Sequence, residues 1–112
     1  SVFDMAAAFK QIALDADASK LSTVVVDAGQ CYRWLVAPFG IATLPSAQQA
    51  LIDAVLAGVP AAHGYLDDIG LTHDDERDVV AGVRRLLRRC RAAGVSLAPG
   101  KSQIGFRRLE YL

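Results

Sequence analysis

Apolar and polar positions along this 112-residue chain change rhythm several times, and each change predicts an element. SVFDM, residues 1–5, reads as a short apolar strand that ends in an acid. The β-branched and aromatic runs LSTVVV and CYRWLVA flank Asp27, Ala28, Gly29 and Gln30, the pattern of a hairpin with a glycine in its turn. After Pro45, SAQQALIDAVLAG sets Ala47, Leu51, Ala54, Val55 and Gly58 at helical spacing, and Gly58 with Pro60 ends that helix. AAHGYL and IGLTH on either side of Asp67–Asp68 predict a second hairpin. Residues 72–76 are acidic and cap-like and open a long helix through Ala93, with Val79, Val80, Val83, Leu86, Leu87 and Cys90 as its apolar stripe. Gly94 suits the C-cap, and the apolar stretch 104–112 predicts a returning strand. Together these elements predict an α+β fold: a mostly antiparallel sheet with two helices packed on one face.

Length and composition narrow the picture. Residues 1–112 are enough for one domain and not for two. Hydrophobic residues make up 53% and charged residues 21%, which fits a soluble globular chain and excludes a disordered one. No apolar run approaches the roughly 18 residues of a membrane span, and no signal peptide is visible. Cys31 and Cys90 lie far apart without metal-type spacing, so reduced thiols in an intracellular setting are expected. The chain opens on Ser1 and closes on Leu112 within an apolar pattern, as a piece of a longer polypeptide would. A net charge of zero hides an asymmetry: residues 1–76 hold three basic and ten acidic side chains, residues 77–112 nine basic and two acidic. An acidic region suits a metal and a basic one a polyanion, although the two could equally attract each other across the fold.

GYLDDIGLT carries the sharpest chemical signal. Adjacent Asp67 and Asp68 repel each other unless a cation or a basic partner offsets them. Asp4 ends one predicted strand while the aspartate pair occupies a predicted hairpin tip, so neighbouring strands would bring three carboxylates to one sheet edge. Such oxygen ligands suit Mg²⁺, and two ions about 4 Å apart support in-line phosphoryl displacement. Asp-Asp is also ordinary turn composition, and Asp4 could be an unrelated strand end. YLDD alone leaves both readings open.

Its company decides. FDMAAAFKQI, RWLVAPFGIATLPSAQQ, GYLDDIGLT, GVSLAPGKSQIGF and LEYL follow one another in an order that resembles the palm of a reverse transcriptase, most similar to gypsy-like LTR retrotransposon and retroviral polymerases. The resemblance covers essentially the whole chain and implies a ferredoxin-like polymerase palm. It implies that Asp4, Asp67 and Asp68 bind two Mg²⁺ or Mn²⁺ ions and are catalytic. Phe9 matches the aromatic beneath the incoming sugar, where a bulky ring excludes a 2′-hydroxyl. Met5, Ala7 and Ala8 lie in the same segment and are implied to bind the nucleotide, the alanines permitting close backbone approach to a triphosphate. Pro38, Phe39 and Gly40 match the segment lining the nucleotide pocket beside the template, and Tyr65 and Leu66 complete the Tyr-x-Asp-Asp box. Lys101, in LAPGK, matches a lysine proposed to protonate the pyrophosphate leaving group.

The implied activity is RNA-directed DNA polymerisation, a nucleotidyl transfer from a dNTP to a primer 3′-hydroxyl. Its implied partners are an RNA or DNA template with primer, the dNTP, and the fingers, thumb and RNase H parts of a parent polyprotein, absent here. No membrane is implied; the expected location is cytoplasmic, with a virus-like particle as a possible container. Two departures stand out: Gln48 is polar where relatives carry an aromatic, and His63 with Gly64 replaces β-branched residues, a glycine that should weaken the strand. They admit an alternative, an inactive retroelement relic. A nucleotidyl cyclase on a palm-like fold would not require the Pro-Phe-Gly and LAPGK segments. A receiver-like module with an acidic pocket would require a parallel sheet. Arg84, Arg85, Arg88, Arg89 and Arg91, with Arg77 upstream, crowd the long helix and are expected to form a solvated face rather than a phosphate track.

Overall fold

The computed structural model describes residues 1–27 and 29–108. Along the chain come β1 (Val2–Asp4), a 3₁₀ turn (Ala8–Gln11), α1 (Ala16–Leu21), β2 (Val24–Asp27) and β3 (Gln30–Tyr32), then α2 (Leu44–Leu56), β4 (Ala62–Tyr65), β5 (Asp68–Leu71) and α3 (Glu76–Ala93). β5 lies between β1 and β4 in a three-stranded antiparallel sheet. Every strand pair among the described residues is antiparallel, which removes the receiver-like alternative. The outer edge of β1 is also occupied. Val2 exchanges two 2.8 Å backbone bonds with Gln103, and the Ala98 N–H donates to the Asp4 carbonyl. Segment 96–103 therefore runs beside β1 and holds it from the side opposite β5.

Strand alternation assigns the two faces of this sheet. Phe3 and Gly64 stand opposite Ile69 on either side, and this row meets the helices. Ile52 and Val55 of α2, Leu86 and Cys90 of α3, and Met5, Val59, Leu71 and Val95 complete the core. Full burial of a side chain such as Phe3, Ile69 or Leu86 contributes about 1.5–3 kcal/mol. β4 approaches α2 so closely that a Cβ on Gly64 would lie 2.1 Å from Ile52 Cγ2. The glycine that should weaken the strand thus permits its packing.

Both long helices and both hairpins lie where the patterning places them, but several details differ. The buried side of α2 is Leu44, Gln48, Ile52 and Val55, while Ala47 and Ala54 are exposed. Alanine carries too little area to choose a face, and an amide took a core position instead. α3 buries Gly82, Leu86 and Cys90 and leaves Val80 and Leu87 about half exposed. Its caps are Asp75, which accepts from the Arg77 N–H, and Gly94 in the left-handed conformation at φ 69°. α1 was not predicted; its six residues are too few to show periodicity, and Asp15 caps it by accepting from the Asp17 and Ala18 N–H groups.

β2 and β3 form a sheet of their own, with every strand residue exposed. The expected single sheet is therefore two. The hairpin is tied at its base, where the Ser19 hydroxyl donates to the Trp34 carbonyl and the Ala37 N–H to Ile12. It contributes to an elongated outline of 60 × 23 × 20 Å. Residues 104–108 form no strand. The rest of that predicted element, 109–112, and Ala28 of the first turn lie outside the described residues. Cys31 and Cys90 are both free thiols.

Candidate active site

Directly opposed residues on paired strands project to the same face. Asp4 of β1 is the register partner of Asp68 of β5, and Asp68 is in turn the partner of Tyr65. With Phe3, Ile69 and Gly64 turned toward the helices, Asp4, Asp68 and Tyr65 stand together on the helix-free face. Period-two alternation thus converts the sequence pattern into a carboxylate pair. The hairpin tip differs by one residue from expectation: Leu66 and Asp67 form the turn, and Asp68 is the first residue of β5.

This tight turn comes at a conformational cost. Leu66 has φ 54°, a left-handed conformation that costs an L-residue with a side chain roughly 1–2 kcal/mol. The surroundings hold it there. The Leu66 N–H donates to Gln49 Oε1 at 3.0 Å, and the Leu66 carbonyl accepts from Gln48 Nε2 at 3.2 Å. Gln49 Nε2 also donates to the Gly64 carbonyl, and the Met5 N–H donates to the Asp67 carbonyl at 2.8 Å. Neither glutamine was singled out for this role. The signal available was their adjacency in SAQQ, but amides ordinarily read as surface.

Electrostatics sharpen the picture. Partial burial raises the Asp68 carboxyl above its ordinary value, the charges of Asp67 and then Asp4 push it further up, and Lys101 pulls it back. Lys101 Nζ lies 3.4 Å from Asp4 Oδ2, bringing LAPGK to the carboxylates. The Ala98–Lys101 turn that aims it is closed by the Lys101 N–H donating to the Ala98 carbonyl at 3.1 Å. Among the described residues no three His, Cys, Asp or Glu side chains are gathered into a metal-binding group. What the chain does present is oxygen donors under mutual repulsion on an open face, beside one ammonium. That donor set fits a hard divalent cation, which would relieve the repulsion.

The other expected residues fall into two groups. Phe9, in the 3₁₀ turn, meets Phe39 edge to face with ring centroids 5.5 Å apart, so the AAAF and Pro-Phe-Gly segments do converge. Pro38 is half-buried, Phe39 is exposed, and Gly40 has φ 97°, open only to glycine at low cost. Ala7 is left-handed at φ 48°, and Ala8 begins the 3₁₀ turn. Gln11 fastens this segment: its Nε2 donates to the Ala6 and Ser96 carbonyls, and its Oε1 accepts from the Ser96 N–H. Tyr65 is exposed on the carboxylate face. The Met5 side chain, by contrast, is buried in the core, which leaves only its backbone for a nucleotide.

Arg77, Arg84, Arg85, Arg88, Arg89 and Arg91 are all exposed, as expected of a solvated face, and Arg89 in addition reaches back to the Ala54 and Val55 carbonyls near the end of α2. A cation there satisfies unpaired carbonyls and favours the helix dipole.

Comparison with known proteins gives the family and the fold. The profile of the family described as reverse transcriptase (RNA-dependent DNA polymerase) matches residues 1–112. The chain is 30% identical over 113 aligned positions to the enzymatic polyprotein of Cauliflower mosaic virus (strain NY8153), covering 100% of this chain and 16% of that protein. Polyprotein P3 of Commelina yellow mottle virus is 29% identical over 113 positions, covering 100% of this chain and 6% of its own length. Among solved structures, the native protease–reverse transcriptase of prototype foamy virus superposes with a TM-score of 0.89 at 27% identity, over 99% of this chain and 15% of that one. The foamy viral protease–reverse transcriptase dRH in complex with ds DNA shares the fold at a TM-score of 0.92 and 19% identity, over 100% of this chain and 20% of that one. The chain thus spans less than a quarter of the length of each of these proteins. Matched from its first residue to its last, the chain belongs to the reverse transcriptase (RNA-dependent DNA polymerase) family.

Proposed function

We propose that this chain is the catalytic palm of an RNA-directed DNA polymerase, which adds dNMP units to a primer 3′-hydroxyl. The observation that supports it best is the register pairing of Asp4 with Asp68 on the open face, Asp67 adjacent in the turn and Lys101 at Asp4. In this reading Asp4, Asp67 and Asp68 would hold two Mg²⁺ or Mn²⁺ ions. When bound, such ions lower the pKa of the attacking hydroxyl and stabilise charge on the leaving oxygen.

The remaining work belongs to the chain. In this reading Tyr65 and the AAAF segment would border the dNTP, and Phe9, whose ring meets Phe39 edge to face, would exclude a 2′-hydroxyl. The primer 3′-hydroxyl gives up its proton to water, its oxygen forms a bond to the α-phosphorus while the bond to the bridging oxygen of pyrophosphate breaks, and pyrophosphate leaves. Lys101, whose ammonium lies 3.4 Å from Asp4 Oδ2, can give a proton to that leaving oxygen. Positioning reactants in line can lower such a barrier by about 7–11 kcal/mol, so a template–primer duplex and the other polymerase subdomains are required partners. The foamy viral relatives solved with dsDNA and with an RNA/DNA hybrid are consistent with that requirement. Fingers, thumb and RNase H parts of a longer polyprotein would supply the grip.

The test is Asp67→Asn in the polymerase polypeptide that carries this chain. Primer extension on an RNA template is expected to fall by at least about a thousandfold, a loss of roughly 4 kcal/mol of transition-state stabilisation, with the circular dichroism spectrum unchanged. Extension retained within tenfold would sink the assignment.

A further inference from the structure

Gln48 sits at 0% exposure in the core, at the position where an aromatic was expected. Its Nε2 donates to the Met5 Sδ at 3.1 Å and to the Leu66 carbonyl at 3.2 Å, while its Oε1 is buried without a partner. A buried, half-satisfied amide is unfavourable for stability, and an apolar side chain of equal size would pack there without that penalty. The two groups it does bind are informative. Met5 follows Asp4, and Leu66 precedes Asp67; the amide joins the two backbone segments that carry the carboxylates. Leu66 is also the strained residue of the turn. Its N–H is held by the neighbouring Gln49, so two consecutive residues of α2 grip both polar groups of one left-handed residue.

We propose that Gln48 is a positioning residue for polymerisation: its amide latches the Leu66–Asp67 turn to Met5 and thereby sets the separation between Asp4 and the Asp67–Asp68 pair. This inference rests on the palm reading above. It differs from a packing role because the amide contributes direction, holding one carbonyl and one sulfur, where an aromatic or aliphatic side chain could only fill volume. Gln48 touches no substrate in this role. It acts through the turn, and the cost of its unpaired Oε1 is accepted for the geometry it enforces.

The informative variant is Gln48→Met in the full polymerase polypeptide, which keeps volume and removes both the donor and the orphan acceptor. Three readouts separate latch from filler. Amide hydrogen exchange at the Leu66–Asp68 turn is expected to rise by about tenfold, matching one lost hydrogen bond, with the rest of β4 and β5 unchanged. Mn²⁺ affinity, followed by electron paramagnetic resonance without substrate, is expected to weaken by about three- to tenfold. Turnover should fall about tenfold with dNTP KM within roughly twofold, and the melting temperature should stay level or rise. Unchanged exchange at the turn and unchanged Mn²⁺ affinity would overturn the proposal. So would a fall in melting temperature with exchange rising across the whole sheet, because that is the behaviour of a packing residue. Asp67→Asn run in parallel keeps the two ideas apart. If it still polymerises, the palm reading fails while the exchange result still reports on the latch; if it is dead and Gln48→Met is wild-type in all three readouts, only the latch fails.

Discussion

Asp68 carries a burden that no neighbour fully relieves. Its carboxyl is raised by burial and by Asp67 and Asp4, so the folded state favours the protonated form relative to the unfolded chain, whose value is near 3.8. Ionised Asp68 therefore opposes folding above its folded pKa, and that opposition disappears as pH falls toward 3.8. In metal-free buffer Asp68→Asn should melt higher than the wild type at pH 7 and show no advantage at pH 3.5, which a pair of calorimetric scans can check. Saturating Mg²⁺ should shrink the gap at pH 7 by stabilising the wild type alone. Phe9 makes a second test at this scale. Phe9→Val in the full polymerase should raise rNTP incorporation relative to dNTP by about a hundredfold, the size of a steric discrimination near 3 kcal/mol; a single-nucleotide incorporation ratio that does not move would return Phe9 to simple packing with Phe39. The carboxylates were legible because charge is conspicuous and period-two alternation dictates which face they share. Gln48 was not, since nothing in a polar residue type announces that it will be buried.

Elements were legible to the extent that each carries its own punctuation. α3 is the clearest case, with acidic residues before it, a long apolar stripe and Gly94 after it. Asp75→Ala removes the acceptor for the Arg77 N–H and should cost about 1 kcal/mol in urea unfolding, with the slope unchanged. A loss under 0.3 kcal/mol would mean that another of the neighbouring acids takes over the cap. α1 lacked such length, and its Asp15 cap is one of two acids in LDADAS that could have served. Alternation recognised β2 and β3 as a hairpin, yet alternation is local and says nothing about which sheet a hairpin joins. Segment 96–103 takes the open edge of β1, and the hairpin stands apart with Val25 and Val26 largely exposed. Arg89 shows the same limit from another side: the stretch RRLLRRCR reads as uniformly solvated, but one of its arginines finds the carbonyls at the end of α2.

At the scale of the whole molecule, the chain spans less than a quarter of the length of the relatives named above, and the proposed function assigns the grip on substrate to further parts of such a polypeptide. The isolated 112 residues are expected to fold and to bind Mn²⁺ only weakly, in the millimolar range or above, since the carboxylates alone supply few ligands and no phosphate. Extension of a primer on an RNA template should be undetectable beside the full polymerase, and efficient Mg²⁺-dependent extension by the isolated chain would overturn that expectation. The exposed valine hairpin and the zero net charge both favour self-association, so the measurement belongs at low protein concentration. One feature of the sheet also governs how the molecule is made. Asp4 meets Lys101 across 97 positions of sequence, and Ser1 meets Leu71 across 70. Closing loops of that size is paid for in chain entropy before any contact rewards it, so pairings of this kind form late and slowly. While the chain emerges from a ribosome, β1 is made before its partners and must wait for β5, and then for segment 96–103, before both its edges are filled. Until then its backbone groups are unpaired and its apolar side chains uncovered, and the carboxylate site does not exist. β1 is thus exposed to misassembly for longer than the partners made after it, and completion of the carboxylate face marks the end of folding rather than its start.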